Sequence, residues 1–215
     1  MILVNFEKEL PRFTLRAAFL VQSGQVLVLR GESGSGKTTI LECIAGRTHP
    51  DRGEIILNKT CVFSSFAKIC YPTQDRKIGF VFHDYALFPH LTVAENIKLA
   101  EYVYPIRSAS AATILNRFRI GHLAKQYPLS LSAGEQQRLS LARALAFACA
   151  SHSSIILMDE PFAALDIRTR EQMWNEFRDI QKEFALTVVL VTHQYEEASR
   201  LGDRVLSLRM GEVYE

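Results

Sequence analysis

The sequence contains no apolar run that approaches the roughly 18–20 residues of a membrane-spanning helix. Its first ten residues, MILVNFEKEL, lack the basic segment, the apolar segment and the small-residue cleavage site of a secretory signal. We therefore expect a soluble, intracellular domain, and any role at a membrane requires a separate membrane-embedded partner.

Cysteine is scarce, and its spacing excludes the usual metal and redox patterns. The four cysteines, at positions 43, 61, 70 and 149, form no CxxC pair and have no histidine at zinc-finger spacing. We expect buried or half-buried reduced thiols. The net charge of +2 comes without a clustered basic segment, so we expect no nucleic-acid partner.

Short apolar runs alternate with longer amphipathic stretches along the chain. This alternation predicts an α/β fold with a parallel sheet flanked by helices. The runs read as strands are Val26–Leu29, Ile78–Phe82, Ile155–Met158, Thr187–Val191 and, joined by a glycine turn, Arg204–Leu208 and Met210–Glu212. Helical spacing dominates between residues 89 and 150. We therefore expect one domain over 1–215, with an α/β core formed by 1–88 and 151–215 and a helical subdomain inserted at 89–150.

The segment GESGSGKT at residues 31–38 fits the P-loop pattern GxxxxGK[ST]. It follows a predicted strand and precedes a predicted helix over Thr39–Ala45, which is the context that a phosphate-binding loop needs. Backbone N–H groups and the helix N-terminus attract phosphate oxygens there. We expect Lys37 to reach the β- and γ-phosphates and the Thr38 hydroxyl to bind Mg²⁺. The residues expected to contact the nucleotide are Gly31, Glu32, Ser33, Gly34, Ser35, Gly36, Lys37, Thr38 and Thr39.

Two carboxylates follow the apolar run at Ile155–Met158. They stand at the carboxyl end of a predicted strand, where α/β sheets place ligands. Asp159 offers the hard oxygen ligand that Mg²⁺ prefers, and Glu160 is placed to act as a base for an attacking water.

A third motif, Ser132 to Arg138 (SAGEQQR), narrows the choice among P-loop proteins. Ser132 and Glu135 form an S-x-x-E capping box that predicts a helix start. Leu131–Glu135 resembles the LSGGQ signature of ABC ATPases, and the alanine-rich continuation resembles the same helix.

With these motifs together, the chain resembles the ATP-binding subunits of ABC transporters of the importer type. Phe88–Ile97 resembles the segment after the family's Q-loop, Ala164–Asp166 resembles the D-loop, and His193 resembles the switch histidine. The resemblance implies a P-loop NTPase fold with a mostly parallel central sheet, a small N-terminal antiparallel β part and the inserted helical subdomain.

The resemblance also implies ATP hydrolysis with Mg²⁺ in a head-to-tail dimer. Ser132, Gly134 and Asp166 would contact the nucleotide across the dimer, and Glu160 and His193 would act in catalysis. The implied partners are a second ATP-binding subunit, forming a homodimer, and transmembrane permease subunits. The implied location is the cytoplasmic face of the plasma membrane. The general likeness is to subunits of molybdate, sulfate and ferric-iron uptake systems.

Three positions depart from the family pattern. His83 stands where the family usually has a Gln that contacts Mg²⁺ or the attacking water, and we expect His83 to take both the metal and the catalytic role. Ala133 replaces a glycine of the signature. The aromatic residue that stacks on adenine has two candidates, Phe6 and Phe13.

Two other functions remain open from the sequence alone. A non-transport ABC ATPase of DNA repair or translation is one, although the chain has no sustained heptads and no cysteine pair between its P-loop and the Asp159–Glu160 motif. A nucleotide-binding regulator without turnover is the other, favoured by His83 and Ala133.

Overall fold

The computed structural model describes residues 1–103, 111–163 and 165–215. Within these residues it contains eleven strands and six α-helices. The strands are β1 (Ile2–Glu9), β2 (Thr14–Val21), β3 (Val26–Gly31), β4 (Arg52–Leu57), β5 (Thr60–Ser64), β6 (Ile69–Cys70), β7 (Gly79–Val81), β8 (Ile155–Asp159), β9 (Thr187–Thr192), β10 (Arg204–Arg209) and β11 (Glu212–Tyr214). The α-helices are α1 (Lys37–Ala45), α2 (Val93–Val103), α3 (Ala111–Arg117), α4 (Ala133–Ala150), α5 (Ile167–Glu183) and α6 (Tyr195–Leu201).

The strands described form one sheet in the order β6-β5-β4-β1-β2-β11-β10-β3-β9-β8-β7. Its centre, β10-β3-β9-β8-β7, is parallel throughout, as the apolar runs predict. The antiparallel part consists of β1 with β2 and β4, followed by β5 and β6. The carboxyl ends of β3, β8 and β9 therefore lie side by side at one edge.

The central strands are buried on both faces, which is why they are apolar without alternation. Val26 and Val28 of β3 pack into the core that α2 to α6 cover. Leu27 and Leu29 of the same strand pack into a second core, shared with α1 and the antiparallel strands. The sheet is thus held from both sides, and its strand ends are fixed in position.

Three predicted boundaries need correction. The strand expected at Ile78–Phe82 is limited to Gly79–Val81, and the helix expected from Thr39 begins at Lys37. The last strand begins at Glu212 instead of Met210. Met210 and Gly211 have φ values of 46° and 84°, and such left-handed backbone forms a turn and cannot continue a strand.

The cysteines are all unpaired, as expected. Cys43 is buried, and burial raises the pKa of its thiol to about 12. Cys70 is exposed on the two-residue edge strand β6, so the expectation that all four would be buried or half-buried is wrong at this position.

Residues 93–103, 111–117 and 133–150 of the segment 89–150 are helical. The carbonyl oxygens of Phe88, Leu91 and Thr92 accept hydrogen bonds from the buried Asn96 amide at 3.0–3.1 Å, which fixes the chain entering α2. Because α4 also packs against β7 and β8, the segment is anchored to the sheet, and its role as a separate subdomain stays a prediction. No helix among the described residues is both long and apolar enough to cross a bilayer.

Candidate functional site

The loop between β3 and α1 closes around the ammonium group of Lys37. The Lys37 Nζ donates to the carbonyl oxygens of Gly31 at 2.8 Å and Glu32 at 2.7 Å, and the side chain is only 5% exposed. Burial lowers the pKa of the Lys37 ammonium, and the charges of Glu160 and Asp159 oppose that shift. A cation held inside a loop of this kind is placed to attract an anionic group.

Glycine is required at the point where this loop becomes α1. Gly36 has φ of 108° and is the N-cap of α1, with no side-chain capping hydrogen bond. A Cβ atom there would lie 3.0 Å from Cδ1 of Leu15. The uncapped N–H groups of the first helical turn, together with the helix dipole, form an anion-binding end.

The ends of β3 and β8 meet through a polar contact. The Thr38 hydroxyl donates to Asp159 Oδ1 at 3.3 Å, so two oxygen donors predicted as metal ligands are adjacent. Burial raises the pKa of the Asp159 carboxyl, the Thr38 hydrogen bond lowers it, and the charge of His83 also lowers it. His83 itself is exposed and follows β7. Among the described residues no group of three His, Cys, Asp or Glu side chains has the arrangement of a metal site.

Glu160 and His193 come together because β8 and β9 are adjacent. Glu160 Oε2 lies 3.2 Å from His193 Nδ1, with the two side chains 26% and 52% exposed. The Glu160 N–H donates to the Val191 carbonyl at 3.0 Å, and its φ of 44° turns the chain sharply at the end of β8. The contact pairs a carboxylate base with a histidine that can carry or donate a proton.

A cavity of about 730 Å³ opens beside the P-loop. Gly31 to Ser35 line it together with His193, Phe13 and Met210. Phe6, the other aromatic candidate, is only 2% exposed and belongs to the core of the antiparallel strands. Of the two candidates, Phe13 alone borders the cavity.

The signature segment begins α4 as the capping box predicts. The Glu135 carboxylate accepts from the Ser132 N–H at 2.8 Å and the Ser132 hydroxyl at 2.7 Å, and the Glu135 N–H donates to Ser132 Oγ at 3.4 Å. Asp166 similarly caps α5 by accepting from the Thr169 N–H at 3.1 Å. A Cβ added at Gly134 would lie 3.3 Å from Cγ2 of Thr169, so these two helix starts are neighbours.

The structure therefore divides the predicted residues into two groups. Lys37, Thr38, Asp159, Glu160 and His193 gather around the P-loop, with Thr39 half-buried in the first turn of α1. Ser132, Gly134 and Asp166 lie instead at the neighbouring starts of α4 and α5. Ala164 of the D-loop segment lies outside the described residues.

Sequence reasoning missed a partly buried polar network behind His193. It consists of Thr192, Glu197, Gln194 and Arg170, linked by hydrogen bonds. One signal was available: Glu197 stands at helical spacing beside Ala198 and Leu201, which face the core.

The comparison with known families decides the identity. The ABC transporter family profile matches residues 16–163 of this chain. The chain belongs to the ABC transporter family. The predicted family is confirmed, and no reported relative favours a role in DNA repair or translation.

Curated relatives in this family are importer subunits. The molybdenum import ATP-binding protein ModC of Pasteurella multocida (strain Pm70) is 37% identical over 99% of this chain and 59% of its own length. The sulfate/thiosulfate import ATP-binding protein CysA of Escherichia coli (strain K12) is 41% identical over 90% of this chain and 52% of its own length. The chain thus spans little more than half the length of these relatives.

Solved structures share the whole fold. The dimeric structure of the ABC transporter cassette MJ0796 has a TM-score of 0.80 and 31% identity, and covers 100% of this chain and 97% of its own. A post-hydrolysis dimer of the same cassette, bound to ADP and Pi, also has a TM-score of 0.80, with 30% identity and the same coverage. The fold is that of an ABC ATPase cassette, and the fold-class prediction is confirmed.

Proposed function

We propose that this chain is the ATP-binding and ATP-hydrolysing subunit of an import-type ABC transporter. The observation that carries the proposal is a P-loop closed around Lys37 together with a Glu160–His193 pair 3.2 Å apart, with Gly31 to Ser35 of the loop and His193 bordering the same cavity. The import relatives and the ADP-bound cassette dimer support the same function.

The polyphosphate is proposed to lie in the P-loop. Residues Gly31 to Thr38, which include Glu32 and Ser33, would surround it with backbone N–H groups, and Thr39 would lie at its margin. Lys37 would exchange its two carbonyl contacts for phosphate oxygens, which as anions are stronger acceptors than neutral carbonyls. Phe13 is the better candidate for adenine because it borders the cavity, whereas Phe6 is buried.

The donor set at Thr38 and Asp159 fits Mg²⁺. This ion typically uses one or two protein oxygens and completes its octahedron with water and substrate phosphate, so a cluster of three acidic side chains is not required. When bound, Mg²⁺ neutralises charge on the phosphates. His83, which lies near enough to Asp159 to act on its carboxyl, is proposed as an additional contact to the metal or the attacking water, which it can make to a metal only through an unprotonated ring nitrogen.

Glu160 is proposed as the base for the attacking water, with His193 beside it. The Glu160 carboxylate accepts a proton from water, and the His193 ring can contact the γ-phosphate while its Nδ1 faces Glu160. The bent backbone at Glu160 places this carboxylate past the strand end instead of within the sheet.

A second copy of the chain is proposed to complete each site. Ser132 and Gly134 begin a helix whose N-terminal N–H groups can bind phosphate, and this helix start lies beside the start of α5. In a head-to-tail homodimer these residues, with Asp166, would face the nucleotide of the partner. The cassette dimers of similar structure support this arrangement.

Transport requires a membrane partner, so we propose permease subunits and a location at the cytoplasmic face of the plasma membrane. The core residues 1–88 and 151–215 would hold the nucleotide, and 89–150 would form the signature subdomain. The two relatives named serve molybdenum import and sulfate/thiosulfate import. We propose an importer of small inorganic anions of this kind.

Phosphate release from ATP by the purified chain tests the proposal. We expect turnover that depends on Mg²⁺ and stops when the metal is chelated with EDTA. The control is Glu160→Gln, prepared in parallel, which should release no phosphate above background. Nucleotide binding without any turnover in the wild type would instead support the regulator.

A further inference from the structure

A buried carboxylate lies directly behind the predicted switch histidine. Glu197 is only 1% exposed, and its Oε2 accepts a hydrogen bond of 2.7 Å from the hydroxyl of Thr192, which is also 1% exposed. The Thr192 Oγ1 in turn accepts from the Gln194 N–H at 3.0 Å. The residues on both sides of His193 are therefore tied to the Glu197 carboxylate.

Arg170 ties the same segment to the start of α5. Its Nη1 donates to Gln194 Oε1 at 2.7 Å, and its Nη2 donates to the Leu165 carbonyl at 2.6 Å. Leu165 immediately precedes Asp166, the N-cap of α5. A planar guanidinium can hold two acceptors in fixed directions at once, which an ammonium group cannot do as rigidly.

The charges around Glu197 come from three elements. Arg170 on α5 and His193 after β9 favour the ionised carboxylate, whereas Glu160 after β8 opposes it. Burial is the largest effect and raises the pKa of Glu197 to about 7. Among the described residues, Glu197 Oε1 and Arg170 Nε have no hydrogen-bond partner.

Packing alone does not account for this group. α6 already packs through Ala198 and Leu201, which are 2% and 1% exposed. Burying a charged group with an unpartnered atom is unfavourable, and an apolar residue in its place is often neutral or stabilising. The hydrogen-bonded network of Glu197, Thr192, Gln194 and Arg170 instead fixes the backbone on either side of one residue, His193.

We infer that Glu197 and Arg170 are positioning residues that hold the His193 ring beside Glu160, acting through Thr192 and Gln194. This inference rests on the proposed function of His193. Neither Glu197 nor Arg170 borders the cavity beside the P-loop. They fix the position of residues 192–194 relative to the end of β8 and the start of α5.

The kcat and the KM for ATP of three disruptive variants and one conservative variant test the inference. Arg170→Lys, Gln194→Ala and Glu197→Ala are expected to lower kcat at least tenfold with KM for ATP changed less than twofold. Glu197→Gln keeps an acceptor for Thr192 and should retain kcat within threefold. Unchanged kcat in both Arg170→Lys and Gln194→Ala would overturn the inference.

The same substitutions made in the His193→Ala protein distinguish a positioning role from a general effect on the stability of the fold. In His193→Ala, the same three substitutions should change the residual kcat by less than twofold, because the residue through which they act is gone. Equal losses in both backgrounds would mark a structural role and contradict the inference. Arg168→Lys and Glu196→Ala are the matched controls, since both side chains are exposed on the same two helices.

The ring signal of His193 gives a readout that does not need activity. In a chain with ¹³C-labelled histidine, the signal missing from His193→Ala identifies this ring. We expect Arg170→Lys and Gln194→Ala to shift it, and the two control variants to leave it in place. An unmoved signal in both test variants, with their thermal midpoints near wild type, would refute the inference. A wild type without ATPase activity would refute the proposed function alone.

Discussion

The carboxylate of Glu160 lies 3.2 Å from the ring of His193 because β8 and β9 are neighbouring parallel strands. The strands are in register from Ile155 opposite Thr187 to Asp159 opposite Val191. Glu160, the residue after β8, then turns and donates its N–H to the Val191 carbonyl. The pair is therefore placed by the sheet and not by a flexible loop alone.

Replacing the buried lysine should remove nucleotide binding. Lys37→Ala deletes the ammonium that donates to the Gly31 and Glu32 carbonyls and that is proposed to bind the phosphates. We expect Kd for ATP to rise more than tenfold, which corresponds to more than ~1.4 kcal/mol. Isothermal titration calorimetry measures this Kd. Lys98→Ala is the control, because it removes a lysine that is exposed. Affinity within twofold of wild type would contradict the P-loop assignment.

Replacing Gly36 should damage both the loop and its ligand. Gly36→Ala forces an alanine into φ near 108° with a new contact to Leu15, at a cost of roughly 1–3 kcal/mol in unfolding free energy. ATP affinity should fall as well. Gly24→Ala is the matched control, because its φ is 77° and no atom lies within 4 Å of the added Cβ. That variant should lose stability but bind ATP normally. Equal ATP affinities of Gly36→Ala and Gly24→Ala would show that the P-loop tolerates an alanine at position 36.

Variants at Ser132 and Glu135 distinguish the helix-capping role of Ser132 from its proposed contact with the nucleotide of a partner chain. Aspartate can still accept from the N-terminal N–H groups of α4, but it replaces the hydroxyl that donates to Glu135 with a second carboxylate, so Ser132→Asp should lower the unfolding free energy by about 1–2 kcal/mol. The added negative charge would repel a γ-phosphate presented by a partner chain. We expect normal ATP binding by the single chain and a loss of turnover beyond tenfold. Glu135→Ala, which breaks only the capping box, should lower the unfolding free energy and affect turnover less than Ser132→Asp does. Full turnover in Ser132→Asp would argue against the proposed contact.

Glu197 should make stability depend on pH. Its folded pKa of about 7 lies above the usual carboxyl value of 4.5, so the unfolded chain releases this proton first. The contribution to stability is full below about pH 4.5 and is lost as pH rises to about 7, by on the order of 3 kcal/mol. Urea unfolding at pH 5 and pH 8 should therefore show a larger loss in wild type than in Glu197→Gln. Parallel losses in the two proteins would contradict this.

The P-loop and its flanks could be predicted because GxxxxGK[ST] demands a strand, a loop and a helix in that order. The choice between Phe6 and Phe13 could not be made by motif spacing. It follows from the pleat, because Ile2, Val4 and Phe6 alternate onto the buried face of β1, while Phe13 lies beyond the strand end. Motif matching alone does not show which aromatic side chain is buried in the core and which borders the cavity.

The network of Arg170 and Glu197 escaped prediction for a different reason. Arg170 contacts Gln194 across 24 positions of sequence, and a polar residue on an amphipathic helix is ordinarily solvated. Only the packing of α5 against α6 brings the two together. The glycine turn between the last two strands was predicted, but Met210 was placed in the strand because a non-glycine residue rarely adopts the left-handed backbone that it has there.

Light scattering of Glu160→Gln with ATP tests the central claim most directly. The amide keeps the shape of the carboxylate but cannot act as a base, so bound ATP should persist and hold two chains together. We predict a nucleotide-dependent species of twice the 24.3 kDa chain mass, absent with ADP and absent in the Ser132→Asp, Glu160→Gln double variant. A Glu160→Gln protein that binds ATP but stays at the single-chain mass at high protein concentration would contradict the account.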